Sequence, residues 1–123
     1  MSKASIKERI KRLKKQVVDL KTEKSSYQFA YTHTQNLVTA LKNTRNSLVS
    51  TASSLEDCFT KAGKIAKHED IKDAEENIDN ILNRLNTIIL VNINERISNI
   101  SRSIDRKNEQ ISKLWDDYYA SED

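Results

Sequence analysis

The stretch KAGKIAKHEDIKDAEE, residues 61–76, contains the only glycine of the chain, Gly63, between two long helical patterns. Glycine readily adopts the left-handed conformation that ends a helix, so Gly63 is predicted as the turn. Carboxylates are favourable in the first turn of a helix, and the acids from Glu69 to Glu76 therefore indicate that a second helix begins near Asp70. The stretch predicts two helices joined by a short link.

Before Gly63, apolar residues recur at alternating steps of four and three, the spacing of a coiled-coil stripe. Three polar residues, Lys24, Thr34 and Arg45, interrupt this pattern. We call these positions the first seam: Ile6, Ile10, Leu13, Val17, Leu20, Lys24, Tyr27, Tyr31, Thr34, Val38, Leu41, Arg45, Leu48, Ala52, Leu55, Phe59 and Ala62. The pattern predicts one long helix.

After the link, a second stripe is predicted, and its middle repeatedly steps by four, which relaxes a left-handed supercoil. We call it the second seam: Ile71, Ala74, Ile78, Ile81, Leu85, Ile89, Ile93, Ile97, Ile100, Ile104, Ile111, Leu114 and Tyr118. Two helices of similar length joined by a short link form an antiparallel hairpin.

The predicted fold is therefore all-α: a long antiparallel helical hairpin, or two-helix coiled coil, completed to a helical bundle by a partner. With 1 Gly, no Pro and 32% charged residues, the 123-residue chain lacks the turns of a sheet fold. We expect a single domain, 1–123, with helix 1 at about 4–62, the link at about 63–69, helix 2 at about 70–119 and an acidic tail at 118–123.

Two stretches without charge, 25–41 and 85–94, predict where a partner binds, because the second is apolar on nearly every side of one helix. A two-helix hairpin alone buries too little area to offset its ordering entropy. The residues predicted for the partner interface are Phe29, Leu37, Val49, Leu82, Ile88, Leu90, Val91 and Trp115. A homodimeric four-helix bundle and a complex with a different protein both remain open.

The charge distribution supports the hairpin. Residues 1–24 hold nine Lys or Arg and three acids, and residues 114–123 hold four acids and no base. An antiparallel hairpin brings these two ends together, so the bases are explained without nucleic acid. We expect no nucleic-acid binding, because no aromatic residue in the basic stretch is available to stack on a base.

Sequence features of catalysis are weak. His33 and His68 have no ligand partner at helical spacing, one glycine cannot form a phosphate loop, and Cys58 cannot form an intramolecular disulfide. We expect no enzyme activity, no cofactor and no metal site. No apolar run is long enough to span a membrane, and no secretory signal is expected.

The segment KLWDDYYASED, residues 113–123, contains a tyrosine followed four residues later by an acid twice: Tyr118 with Glu122, and Tyr119 with Asp123. Such pairs lie on one helical face. About 0.6 matches are expected by chance from four tyrosines and 18 acids, so position gives the motif its weight. Tyr118 with Glu122 is the favoured register, because Tyr118 continues the second seam.

The hairpin with this terminal motif resembles the WXG superfamily of type VII secretion, in particular the small helical partners of LXG toxins in Gram-positive bacteria. The resemblance implies a side-by-side complex with an LXG or WXG-type protein, and recognition of Tyr118, Tyr119, Glu122 and Asp123 by the secretion ATPase. It implies a protein of the bacterial cytoplasm that is exported with its partner. The family's Trp-x-Gly turn is absent, since Lys61 stands two residues before Gly63. The competing class is a cytosolic coiled-coil adaptor.

Overall fold

The computed structural model describes residues 2–62 and 68–121. Helix α1 spans Lys3–Ala62, α2 spans His68–Arg84, a π-helical segment spans Leu85–Ile89, and α3 spans Leu90–Ala120. These four elements account for all regular structure in the described residues. The predicted all-α helical hairpin is confirmed, with α1 as its first arm and α2, the π-helical segment and α3 as its second arm. Gly63, Glu122 and Asp123 lie outside the described residues.

The described chain divides into two compact units, each built from both arms. Unit 1 consists of Met1–Ala30 with Ile93–Asp123, and unit 2 consists of Tyr31–Asn92. The expectation of one domain over residues 1–123 stays a prediction.

The first seam is confirmed along α1. Its positions from Ile6 to Leu55 are buried or half-buried, including the three polar interruptions. One of the polar members, Arg45, forms a two-contact ion pair with Asp79 of the opposite arm. The heptad pattern therefore identified the buried face of α1 from Ile6 to Leu55, and the side chains of the seam positions Phe59 and Ala62 lie outside the described part.

Unit 1 contains two core clusters that join the arms. Ile6, Ile10 and Leu13 pack with Leu114. Val17 packs with Ile100 and Ile104. Polar contacts follow the same antiparallel order, since Gln16 accepts a hydrogen bond from Lys107 at 2.9 Å and Glu23 accepts one from Arg96 at 3.0 Å.

Unit 2 has one core cluster, formed by Val38 of α1 with Leu82 and Leu85 of the second arm; Leu41, Ile78 and Leu90 pack against it. Two residues predicted for the partner interface lie here: Leu82, only 9% exposed, belongs to the cluster, and Leu90 is partly buried against it. The second seam is wrong at Ile81 and Ile89, which are exposed.

The π-helical segment explains why Leu90, and not Ile89, packs against this cluster. The N–H of Leu90 donates to the carbonyl oxygen of Leu85, a step of five residues in place of four. Buried positions therefore run Ile78, Leu82, Leu85 and then Leu90, followed by steps of three and four through α3. The repeated steps of four predicted from sequence are in fact ordinary heptad steps interrupted by one extra residue.

Candidate functional site

The end of α3 carries an aromatic cluster in unit 1. Trp115 and Tyr119 stack, with ring centroids 5.9 Å apart and planes 24° apart, because residues four apart share a helical face. Tyr118 meets both rings edge-on at 5.4 Å. These geometries are the favourable ones for aromatic pairs, so the three rings orient one another.

Lysines of α1 contact this aromatic cluster. The ammonium groups of Lys3 and Lys7 lie 5.1 and 5.8 Å from the centre of the Tyr118 ring, and that of Lys14 lies 5.5 Å from the Trp115 ring. Cations at these distances are attracted to the electron-rich ring faces. These contacts, and the packing of Leu114 on Ile6 and Ile10, confirm that the basic start of α1 lies near the end of α3. These lysine contacts are with aromatic rings and not with carboxylates.

The two tyrosines of the candidate signal have different surroundings. Tyr118 is half-buried and packs against the core cluster of Ile6, Ile10, Leu13 and Leu114, as its seam position predicts. Tyr119 is 76% exposed. Both belong to α3, which ends at Ala120, and the N–H of Ser121 donates to the Tyr118 carbonyl at 3.3 Å.

The second candidate surface lies in unit 2, around the π-helical segment. Ile88 and Val91, both predicted for a partner interface, are about half exposed, and so is Leu37 of α1. Ile81 and Ile89 add exposed apolar area that the sequence assignment missed. We call Leu37, Ile81, Ile88, Ile89 and Val91 the waist surface. The step of five residues from Leu85 to Leu90 would have indicated that Ile89 is exposed, and no residue type in the sequence marks that step.

The remaining predicted interface residues are distributed as follows. Phe29 of unit 1 and Val49 of unit 2 are exposed, while Trp115 is half-buried within the aromatic cluster. The predicted set is therefore divided between the two units, with Phe29 and Trp115 in unit 1 and the other members in unit 2.

Two arginines form the ion pairs between the arms. The pKa of Arg45 is raised by its hydrogen bond to Asp79 and by the charge of that carboxylate. The pKa of Arg96 is raised by hydrogen bonding to Glu23 and Tyr27, and its guanidinium lies 5.9 Å from the Tyr27 ring centre. Since both pairs are largely exposed to solvent, they orient the arms more than they stabilise them.

Among the side chains that the structure describes, at residues 2–55, 57 and 71–121, no group of three His, Cys, Asp or Glu is placed to hold a metal ion. None of the helices described is both long enough and apolar enough to cross a membrane. The chain matches no family model, no curated protein and no solved structure.

Proposed function

We propose that this chain is a non-catalytic partner and targeting protein of a type VII secretion substrate. In this proposal the hairpin binds a helical LXG or WXG-type protein in the cytoplasm of a Gram-positive bacterium. The complex then presents Tyr118 or Tyr119, with Glu122 or Asp123, to the secretion ATPase, and the chain is exported with its partner.

The observation that carries the proposal is the waist surface. Its five large aliphatic residues are exposed and belong to unit 2, four of them fall within residues 81–91, and residues 85–94 carry no charge. Several large apolar side chains exposed in one region of a chain are typical of protein-interaction sites.

The export role is supported by Tyr119. Its side chain projects from α3, is exposed, and stacks on the Trp115 ring. Tyr118 was favoured from sequence, but its ring is covered by Lys3 and Lys7. We therefore propose that either register is compatible with recognition, and that single substitutions distinguish them.

An export assay in a type VII-competent strain carrying the partner gene tests the proposal. Glu122→Gln with Asp123→Asn should abolish export while partner binding persists, because the amides keep the shape and remove the charge. Asp116→Asn with Asp117→Asn removes the same charge from the preceding turn and is the matched control. Equal export of both double variants would contradict the signal.

Tyr119→Ala separates the registers, since its exposed ring contributes little to packing, whereas Tyr118→Ala also removes a ring that packs on the core. Export lost only with Tyr119→Ala selects Tyr119 with Asp123. Helix content measured by circular dichroism should be unchanged in that variant.

A homodimeric coiled-coil adaptor is the second candidate, favoured by the same waist surface, which a second copy can cover as a four-helix bundle. Sedimentation equilibrium of the purified chain distinguishes the two. A stable dimer that does not exchange subunits with a co-expressed LXG protein would favour the adaptor.

A further inference from the structure

We infer that a groove on unit 1, beside Trp115, binds an acidic helix of a protein partner. The groove has a volume of about 300 Å³ and is lined by Lys7, Glu8, Ile10, Lys11, Lys14 and Trp115. Lys7 and Trp115 of its lining contact the tyrosine rings, but binding there does not depend on the proposed export function.

The lining combines an apolar floor with a row of cations. Ile10 and Trp115 form the apolar part, and Lys7, Lys11 and Lys14 follow the four-and-three spacing that places side chains on one face of α1. Glu8 is the only acid in the lining. Such a surface suits a ligand with carboxylates on one face and aliphatic groups between them.

The lysines are held in position and keep donors for a ligand. Lys7 lies over the Tyr118 ring and Lys14 over the Trp115 ring, which orients both ammonium groups. In the described part of the chain, the ion pairs are those of Arg45 and Arg96, so none of the three lysines is paired with a described carboxylate. Each ammonium has three donors, and a ring contact uses none of them fully.

The dimensions favour a helix over a nucleic acid. Lys7 to Lys14 spans about 10 Å at 1.5 Å per residue, which matches two turns of a helix with acids at the same spacing. Trp115 already contacts Lys14 and Tyr119, so it offers no open platform for a base.

Fluorescence of the full chain tests the inference, because Trp115 is its only tryptophan. The probe is a synthetic, tryptophan-free helical peptide with glutamates spaced by four and three and leucines between them. We expect a saturable change in Trp115 emission, and no change with the same peptide carrying lysine in place of glutamate. Lys11→Glu with Lys14→Glu should raise the Kd for the acidic peptide about tenfold or more. Each substitution removes an attraction between a lysine and a peptide glutamate and adds a repulsion between two carboxylates.

The matched control is Lys42→Glu with Lys72→Glu, which changes the net charge equally but alters exposed lysines of unit 2. This control should bind the peptide within about twofold of the unchanged chain. Where circular dichroism shows that the charge reversal lowers helix content, Lys11→Gln with Lys14→Gln takes its place and should still weaken binding several-fold.

Three results would overturn the inference. The first is no saturable emission change with the acidic peptide. The second is an equal loss of affinity in the control pair, which would indicate general charge attraction. The third is tighter, Lys11- and Lys14-dependent binding of a single-stranded oligonucleotide or a phosphatidylserine vesicle, which would assign the groove to phosphates.

Discussion

Neighbouring apolar residues of the second arm occupy opposite environments. Leu82 is 9% exposed in the unit 2 core, whereas Ile81 beside it is 48% exposed. Leu90 packs against the same core, and Ile89 beside it is exposed. Burial in a narrow two-helix interface thus depends on direction from the helix axis, and hydrophobicity alone does not decide it.

Alanine substitutions should separate the first pair. Leu82→Ala should lower the free energy of unfolding by about 2 kcal/mol or more, because it removes buried methyl groups and leaves a cavity. Ile81→Ala should change it by about 0.5 kcal/mol, as expected for an exposed site. Urea unfolding followed by circular dichroism measures both, and equal losses would contradict the assigned faces.

Aspartate substitutions should separate the second pair. Leu90→Asp places a carboxylate against the core cluster and should reduce the stability of the hairpin itself. Ile89→Asp should leave hairpin stability nearly unchanged and weaken association at the waist surface. Helix content reports the first effect and sedimentation reports the second; a loss of helix content with Ile89→Asp alone would reverse the assignment.

The ion pairs between the arms predict a salt response without a response to mild alkali. Because hydrogen bonding raises the pKa of Arg45 and Arg96, their contribution to stability is present below the ordinary arginine pKa and is lost only at strongly alkaline pH. Asp79→Asn should therefore lower the urea midpoint slightly at low salt and at every pH between about 6 and about 9. The difference should shrink at 1 M salt, about the concentration at which screening extends over only 3 Å.

Several hydroxyl groups of α1 bond within the helix. Thr22, Ser25, Ser26, Thr39 and Thr44 each donate to the carbonyl four residues earlier, at 3.0 to 3.3 Å. These bonds satisfy the hydroxyl groups locally, and bonds of this kind slightly destabilise or bend a helix. Thr87 makes the same bond to Asn83, at 2.6 Å, across the start of the π-helical segment.

The π-helical segment predicts which single-residue deletion the second arm tolerates. Removing the exposed Asn86 leaves a step of four from Leu85 to Leu90, so both heptad registers should continue as one α-helix. Removing Asn99, which is also exposed, leaves a step of two between the buried or half-buried Ile97 and Ile100 and rotates the rest of α3 away from its core.

Thermal melts of the two deletions provide the measurement. We expect the Asn86 deletion to melt at or above the temperature of the unchanged chain and the Asn99 deletion to lose most of its cooperativity. If the Asn86 deletion is the less stable of the two, the extra residue contributes to the core in a way that the buried positions do not indicate.

The sequence was sufficient for the hairpin and for the buried face of α1, because a regular four-and-three pattern without Gly or Pro admits one helical solution there. It was insufficient for the middle of the second arm. Ile81 with Leu82, and Ile89 with Leu90, are adjacent apolar pairs. Either member of the first pair fits between Ile78 and Leu85, as steps of three and four in one order or the other. Either member of the second pair fits after Leu85, as a step of four or of five. The lysine contacts with Trp115 and Tyr118 depend on pairing between arms, which local spacing does not encode.

For the whole chain, exposed apolar surface predicts stability that depends on concentration. Association covers the waist surface and is linked to folding by mass action. The melting temperature should therefore rise when the chain concentration is raised a hundredfold, and rise further with a cognate helical partner. Circular dichroism melts at several concentrations measure this, and a high melting temperature independent of concentration would show that the isolated hairpin is complete.

The extra residue in the π-helical segment also has a genetic consequence. Among genes related to this one, the codons for residues 85–89 should be where length differs by one triplet, because a three-nucleotide loss there restores an ordinary helix without moving either core. Elsewhere in the second arm, a change of one triplet would rotate the downstream heptad positions out of the core. Length changes that persist there should therefore be multiples of seven residues.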